Sequence, residues 1–124
     1  MQRISTGSPF EKTLGFSRAV VKGGWCFVSG VTGYDYATMT MPEGVADQAR
    51  NCFATIEKVL TEGGFTLDDI VRVQYTLTDA ALMDEATSAL GVAMGDIRPA
   101  ATIVIAGLIK PEMLIEIEVT AFKG

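Results

Sequence analysis

The stretch from Leu114 to Phe122 alternates without a break: Ile115, Ile117, Val119 and Ala121 are apolar, and Glu116, Glu118 and Thr120 stand between them. Successive side chains of an extended strand point to opposite faces, so only a strand gathers those apolar residues on one side. The chain must therefore build a sheet with one face in a core and carboxylates on the other. Ile70 to Leu77 repeats the pattern, with Val71, Val73, Tyr75 and Leu77 facing one way and Arg72, Gln74 and Thr76 the other. Arg18 to Val28 is β-rich, and Gly23-Gly24 within it is a hairpin turn signal. Ser29-Gly30-Val31-Thr32-Gly33 ends the second strand of that hairpin, and a polar loop runs on to Pro42-Glu43-Gly44. Thr102 to Ile109 is almost continuously apolar, as expected of a strand covered on both faces.

Two segments read as helices. From Val45 to Leu60 the residues Val45, Ala49, Cys52, Phe53, Ile56, Val59 and Leu60 recur at helical spacing, and Gly63-Gly64 supplies the stop. After a turn at Thr66-Leu67-Asp68-Asp69, Asp79 is placed to cap a second helix running to about Met94, weakened by Gly91. The order β-β-α-β-α-β-β predicts an α+β fold, a mixed sheet with two helices on one face. With 124 residues there is material for a single domain over residues 1–124. The second sheet face, partly apolar, has nothing in the chain to cover it, which predicts an oligomer.

Fifteen acidic residues against ten basic ones give a net charge of −5, which repels polyanions and excludes nucleic acid as an expected partner. Without histidine there is no Ser-His-Asp triad, Cys-His pair or imidazole metal ligand. Cys26 and Cys52 lack C-x-x-C spacing and read as free, buried thiols of a reduced, cytoplasmic protein. No secretory pattern opens the chain and no apolar run reaches about 18 residues, so neither export nor a membrane partner is expected. Gly30-Val31-Thr32-Gly33 lacks the lysine of a phosphate loop, and neither a metal site nor an organic cofactor is expected.

Carboxylates, hydroxyls and arginine are what remains for chemistry. Glu116 and Glu118 share one face of a strand, with Cα atoms about 6.5–7 Å apart. Such a pair either divides acid and base roles or is simply a solvated strand face. Phe16 and Arg18 have the same strand parity, which sets a guanidinium beside an aromatic wall; the alternative for Arg18 is a surface charge. Gly30 either lets a ligand approach the main chain or merely eases the strand's exit.

The blocks Gly15-Phe16-Ser17-Arg18-Ala19-Val20, Val28-Ser29-Gly30, Arg98-Pro99-Ala100-Ala101-Thr102 and Ile115-Glu116-Ile117-Glu118 together resemble the Rid (reactive intermediate deaminase, YjgF-like) family, small proteins that hydrolyse enamines and imines. The resemblance implies a sheet with two helices, assembled as a homotrimer with a small-molecule cleft between neighbours. It implies that Glu118 serves the attacking water, that Ser29, Gly30 and Thr102 hold the ligand, and that Phe16 replaces a family tyrosine. It also places Ala101 where deaminating members carry the arginine that clamps the substrate carboxylate, and Thr87 and Leu90 where they carry asparagine and tyrosine. A charge-assisted hydrogen bond contributes about 1.5–3 kcal/mol, so losing that clamp disfavours the standard amino-acid-derived imines. Arg18 is then the candidate cation. The implied activity is a cofactor-free, deaminase-like hydrolysis of a C–N bond in another small metabolite. The alternative is a non-catalytic sensor or scaffold that keeps the same cleft. The family has also carried an RNA-cleaving label, against which the missing histidine and basic cluster weigh.

Overall fold

The computed structural model describes residues 1–124 as one mixed sheet with helices packed on one face. Its elements are β1 (Gln2–Ile4), α1 (Pro9–Leu14), β2 (Ala19–Lys22), β3 (Trp25–Thr32), α2 (Val45–Glu62), β4 (Ile70–Leu77), α3 (Met83–Met94), β5 (Ala100–Ile105) and β6 (Ile115–Phe122). The strands lie in the order β1-β2-β3-β6-β4-β5. Every neighbouring pair is antiparallel except β4 and β5, which α3 joins by a crossover.

The core is the layer between α2, α3 and the sheet. Ile56 and Leu60 of α2, Ala86 and Leu90 of α3, and Ile115, Ile117 and Ala121 of β6 belong to one buried cluster. Asp79 caps a short 3₁₀ turn over Ala80–Leu82, accepting from the Ala81 amide at 2.9 Å, and α3 continues from that turn through Gly91. No helix is long and apolar enough to cross a membrane.

Four local features depart from the expected pattern. The first two elements, β1 and α1, are three and six residues long, too short for periodicity to reveal. In β4 the register slips between Ile70 and Arg72, so Ile70 joins Val73, Tyr75 and Leu77 in the core and Val71 is left exposed. Arg98 precedes Pro99, a position that favours extended backbone, yet it has φ 51°, and its amide bonds to the Met94 carbonyl to close α3. The apolar run expected as a doubly covered strand is an edge: β5 ends at Ile105 and pairs only with β4, and within one chain Ile103 and Ile105 are 45% and 50% exposed.

The sheet face away from the helices carries Trp25 and Phe27 of β3 and Phe122 of β6, all exposed, with the Trp25 and Phe122 rings 4.5 Å apart. Beside them lie Thr120, Glu118 and Glu116, and then Arg72, Gln74 and Thr76 in register with them on β4.

Candidate functional site

The site grows from an irregularity in β3. Between Val28 and Val31 the register to β6 shifts, leaving Ser29 and Gly30 outside the ladder. Their polar groups turn to Arg18, which stands just ahead of β2. The Ser29 amide and hydroxyl both donate to the Arg18 carbonyl at 2.9 Å. In return Arg18 Nη1 donates to the Gly30 carbonyl at 2.7 Å and to Ser29 Oγ at 3.4 Å, and its Nε donates to Thr6 Oγ1 at 3.4 Å. The guanidinium lies 4.6 Å from the centroid of Tyr36 and 5.5 Å from that of Phe16.

Arg18 is only 1% exposed, so its charge needs partners. Glu11 is one of them at longer range. Burial alone would raise its carboxyl, but hydrogen bonds from the Thr6 hydroxyl and amide and from Ser5, with the Arg18 charge, hold it below the ordinary carboxylate range. The third guanidinium nitrogen, Nη2, makes no hydrogen bond, yet no buried polar side-chain atom is left without a partner. Nη2 is therefore not fully enclosed, and Arg18 lines the adjoining recess.

That recess has a volume of about 230 Å³ and is lined by Phe10, Leu14, Phe16, Arg18, Ser29, Gly30, Thr32, Tyr36, Ile109, Met113 and Glu116. Gly30 makes room for its neighbour: a Cβ there would sit 2.5 Å from Cδ and 2.7 Å from Oε1 of Glu116, which would have to turn aside. Half-buried Glu116 thus lies flat against the main chain where a ligand would sit. Burial, and next the charge of Glu118, raise its carboxyl above the ordinary range, and Arg18 only partly opposes them. The far wall is held from the other side of the fold. Fully buried Gln48 donates to the Pro42 and Glu112 carbonyls at 2.8 and 2.9 Å and accepts from the Leu114 amide at 2.9 Å, while the Tyr34 hydroxyl donates to Glu112 at 2.6 Å. These bonds pin the segment that carries Met113 into the recess.

The structure brings Phe16, Arg18, Ser29 and Gly30 together and leaves the other expected site residues elsewhere. Glu118 is exposed on the open sheet face, opposite Gln74, and does not line the recess. Glu116 does, because its register position faces the β3 bulge. Thr102 lies beyond Gln74 on the same open face, two strands from β6, so within one chain it cannot reach a ligand in the recess. Ala101 pairs with core-facing Val73, and its side chain projects to the face opposite that of Thr102. Thr87, on the outer face of α3, bonds back to the Met83 carbonyl, and Leu90 of the same helix is core. Tyr36, Phe10 and Met113 were not legible as site residues: the first is an unpatterned loop tyrosine, and the others lie in a six-residue helix and in a loop.

No group of three His, Cys, Asp or Glu side chains stands close enough to hold a metal ion. Cys26 and Cys52 are free and buried, and burial pushes both thiols up, so neither carries appreciable thiolate near neutrality.

Residues 7–123 match the family model described as Endoribonuclease L-PSP. Among curated relatives, a RutC family protein of Pyrococcus abyssi is 30% identical over 112 residues, covering 87% of this chain and 86% of that protein. Rv2704 of Mycobacterium tuberculosis, described as a member of the YjgF/YER057c/UK114 family, superposes with a TM-score of 0.90 at 36% identity over 98% of both chains. RidA of an Antarctic Psychrobacter superposes at 0.88 with 27% identity over 99% of this chain and 100% of that one.

Proposed function

This chain belongs to the Endoribonuclease L-PSP family, the group of the YjgF and RidA proteins, and from that premise we propose that it is a hydrolase of small imines or enamines. The observation that carries this reading is Glu116. It is a half-buried carboxyl with a raised pKa, set against Gly30 in a recess that is otherwise mostly apolar and holds one guanidinium. A carboxyl held above its ordinary range is a stronger proton acceptor than an ordinary carboxylate and can return the proton it takes.

In the proposed reaction the C=N carbon sits over Gly30, and Glu116 takes a proton from water as its oxygen forms the bond to that carbon. The π pair moves to nitrogen. Nitrogen takes that proton back from Glu116, which gives the neutral carbinolamine. Glu116 then takes the carbinolamine hydroxyl proton and passes it to nitrogen as the C–N bond breaks and the C=O bond forms, so that imine plus water gives carbonyl compound plus ammonia. Ser29 and the Gly30 main chain position the ligand, and Arg18 Nη2 faces its most electron-rich atom. Glu118, outside the recess, acts on Glu116 through its charge. In this reading Glu116, which lines the recess within one chain, takes the water-handling role that the resemblance implies for Glu118. The RNA-cleaving label is not adopted, because the recess offers a single guanidinium in a chain of net charge −5.

The working form is a homotrimer, in which the exposed apolar sheet face and the β5 edge are covered by neighbours. Ala101 and Thr102 then contribute to the site of another copy. With Ala101 at that edge there is no carboxylate clamp from β5, so the substrate is a metabolite other than the amino-acid-derived imines. The buried free thiols suit a reducing, cytoplasmic compartment.

The test is ammonia release from imines generated in solution, with and without an α-carboxylate, by wild type and Ala101→Arg. The proposal expects wild type to accelerate the neutral imine and to be slow on 2-aminoacrylate, with Ala101→Arg reversing the order. Rapid wild-type turnover of 2-aminoacrylate overturns the assigned substrate class. Ligand binding in the recess with no acceleration of any imine would identify a non-catalytic sensor instead.

A further inference from the structure

Behind Tyr36, on the side away from the recess just described, lies a second cavity of about 360 Å³. Its floor is one face of α2. Asn51, Ala54, Thr55, Lys58, Val59 and Glu62 recur at intervals of three and four, so they form one stripe. A polar stripe on a helix is ordinarily bare to solvent. This one is overhung by Asp35, Tyr36 and Ala37 on one side and by Ser5 and Thr6 on the other, and Ala54 leaves room between them. The volume lies within the range of small-molecule sites.

Thr6, Tyr34 and Tyr36 are held by bonds within the fold, but four other polar side chains facing this cavity keep hydrogen-bonding capacity to spare. Asn51 spends its amide nitrogen on the Gly33 carbonyl at 3.0 Å and keeps its oxygen free. Asp35 accepts from the Ala37 amide with one oxygen and keeps the other. Lys58 and Glu62, at i and i+4 on the same face, do not pair with each other or with Asp35; the chain's single ion pair is Arg50–Asp47. A plain anion would meet two carboxylates here, and a plain cation would meet the lysine. A molecule bearing both charges matches the arrangement. We propose that this cavity is a second binding site, for a small zwitterion of the α-amino-acid type, with Lys58 on its carboxylate and Asp35 and Glu62 facing its ammonium. The two recesses share Tyr36 as a wall, and Thr6, which lines this one, holds Arg18 Nε of the other.

Amide chemical shifts of the full-length protein, titrated with L-alanine, propionate and ethylamine, decide the matter, since the last two each lack one of alanine's charges. A few exposed polar contacts correspond to a Kd of about 1 mM for so small a ligand, so titration to about 50 mM reaches saturation. The expected result is saturable shifts at residues 35–37 and 51–58 with L-alanine, and binding at least about tenfold weaker for propionate and for ethylamine. Ala54→Leu, which fills the floor, and Lys58→Met should each weaken alanine binding by about tenfold or more; both sites are exposed, so the fold tolerates the changes. Glu116→Gln, in the other recess, should leave alanine binding unchanged. No saturation by about 50 mM, propionate binding as tightly as alanine, or alanine binding that survives Ala54→Leu but is lost in Glu116→Gln would each overturn the proposal.

Discussion

Gly30→Ala separates stability from chemistry at this site. The new methyl would lie 2.5 Å from Cδ, 2.7 Å from Oε1 and 2.9 Å from Cγ of Glu116. Ordinary carbon contacts begin at about 3.5 Å, so the carboxyl must retreat by about 1 Å or more. The obstructing atoms are the end of a flexible side chain, so Glu116 can turn aside. An off-rotamer adjustment costs about 0.5–1.5 kcal/mol and overpacking about 1–3 kcal/mol. We therefore expect a loss of about 1–2 kcal/mol, or roughly 3–8 °C in melting temperature for a chain of this size. Activity should fall far more, by about 10²–10⁴-fold, because a proton carrier no longer reaches its water. Melting and ammonia release measured on the same preparations provide the comparison. Glu116→Gln introduced into Gly30→Ala should then cost little further activity, since both changes remove the same group. A Gly30→Ala protein that melts several degrees lower and retains full turnover would refute the placement of Glu116. So would full additivity of the two substitutions.

Three further outcomes follow from the geometry. Arg18→Met removes a buried charge-assisted bond to Gly30 and stacking on two rings, so it should destabilise the fold by about 2–4 kcal/mol in chemical denaturation and weaken ligand binding, whereas Arg98→Met, at an exposed arginine, should do neither. Because the folded state raises the Glu116 carboxyl, ionising it opposes folding; Glu116→Gln should raise the melting temperature near neutral pH, the gain fading as pH falls below the ordinary carboxylate range where both states are protonated, and Glu11→Gln, at a carboxyl held low, should lower the melting temperature near neutrality with a difference that also vanishes in acid. Wild type should run as a trimer by light scattering at micromolar concentration and Phe27→Lys as a monomer, since the change puts a charge amid exposed Trp25 and Phe122; a monomeric wild type would remove the inter-subunit cleft from the account.

Regular elements were legible because their periodicity is long. Val45–Glu62 is an amphipathic helix with its apolar stripe where the spacing put it, and Ile115–Phe122 alternates as read. Register was not legible. The slip at Ile70/Arg72 exchanges Val71 for Ile70 in the core, and the bulge at Ser29-Gly30 decides which of two glutamates lines the recess. Both carboxylates have the same parity, so alternation cannot choose between them; only the local twist and the position of Gly30 can. The burial of Arg18 was equally hidden, since its partners Thr6, Tyr36 and Gly30 come from a short N-terminal segment, a loop and a bulge. Apolar β5 read as a strand covered on both faces because composition reports apolar content and not position in the sheet, where it is an edge paired only with β4.

The account rests on Glu116 moving a proton at a C=N carbon. Its most direct test is the rate of ammonia release from one neutral imine generated in solution, measured side by side with wild type, Glu116→Gln, Glu118→Gln and no protein. Wild type should exceed the uncatalysed rate by orders of magnitude, Glu118→Gln should retain most of that acceleration with its acid limb moved to lower pH, and Glu116→Gln should lose about 10²-fold or more of it. Full activity in Glu116→Gln with loss in Glu118→Gln would contradict the assignment.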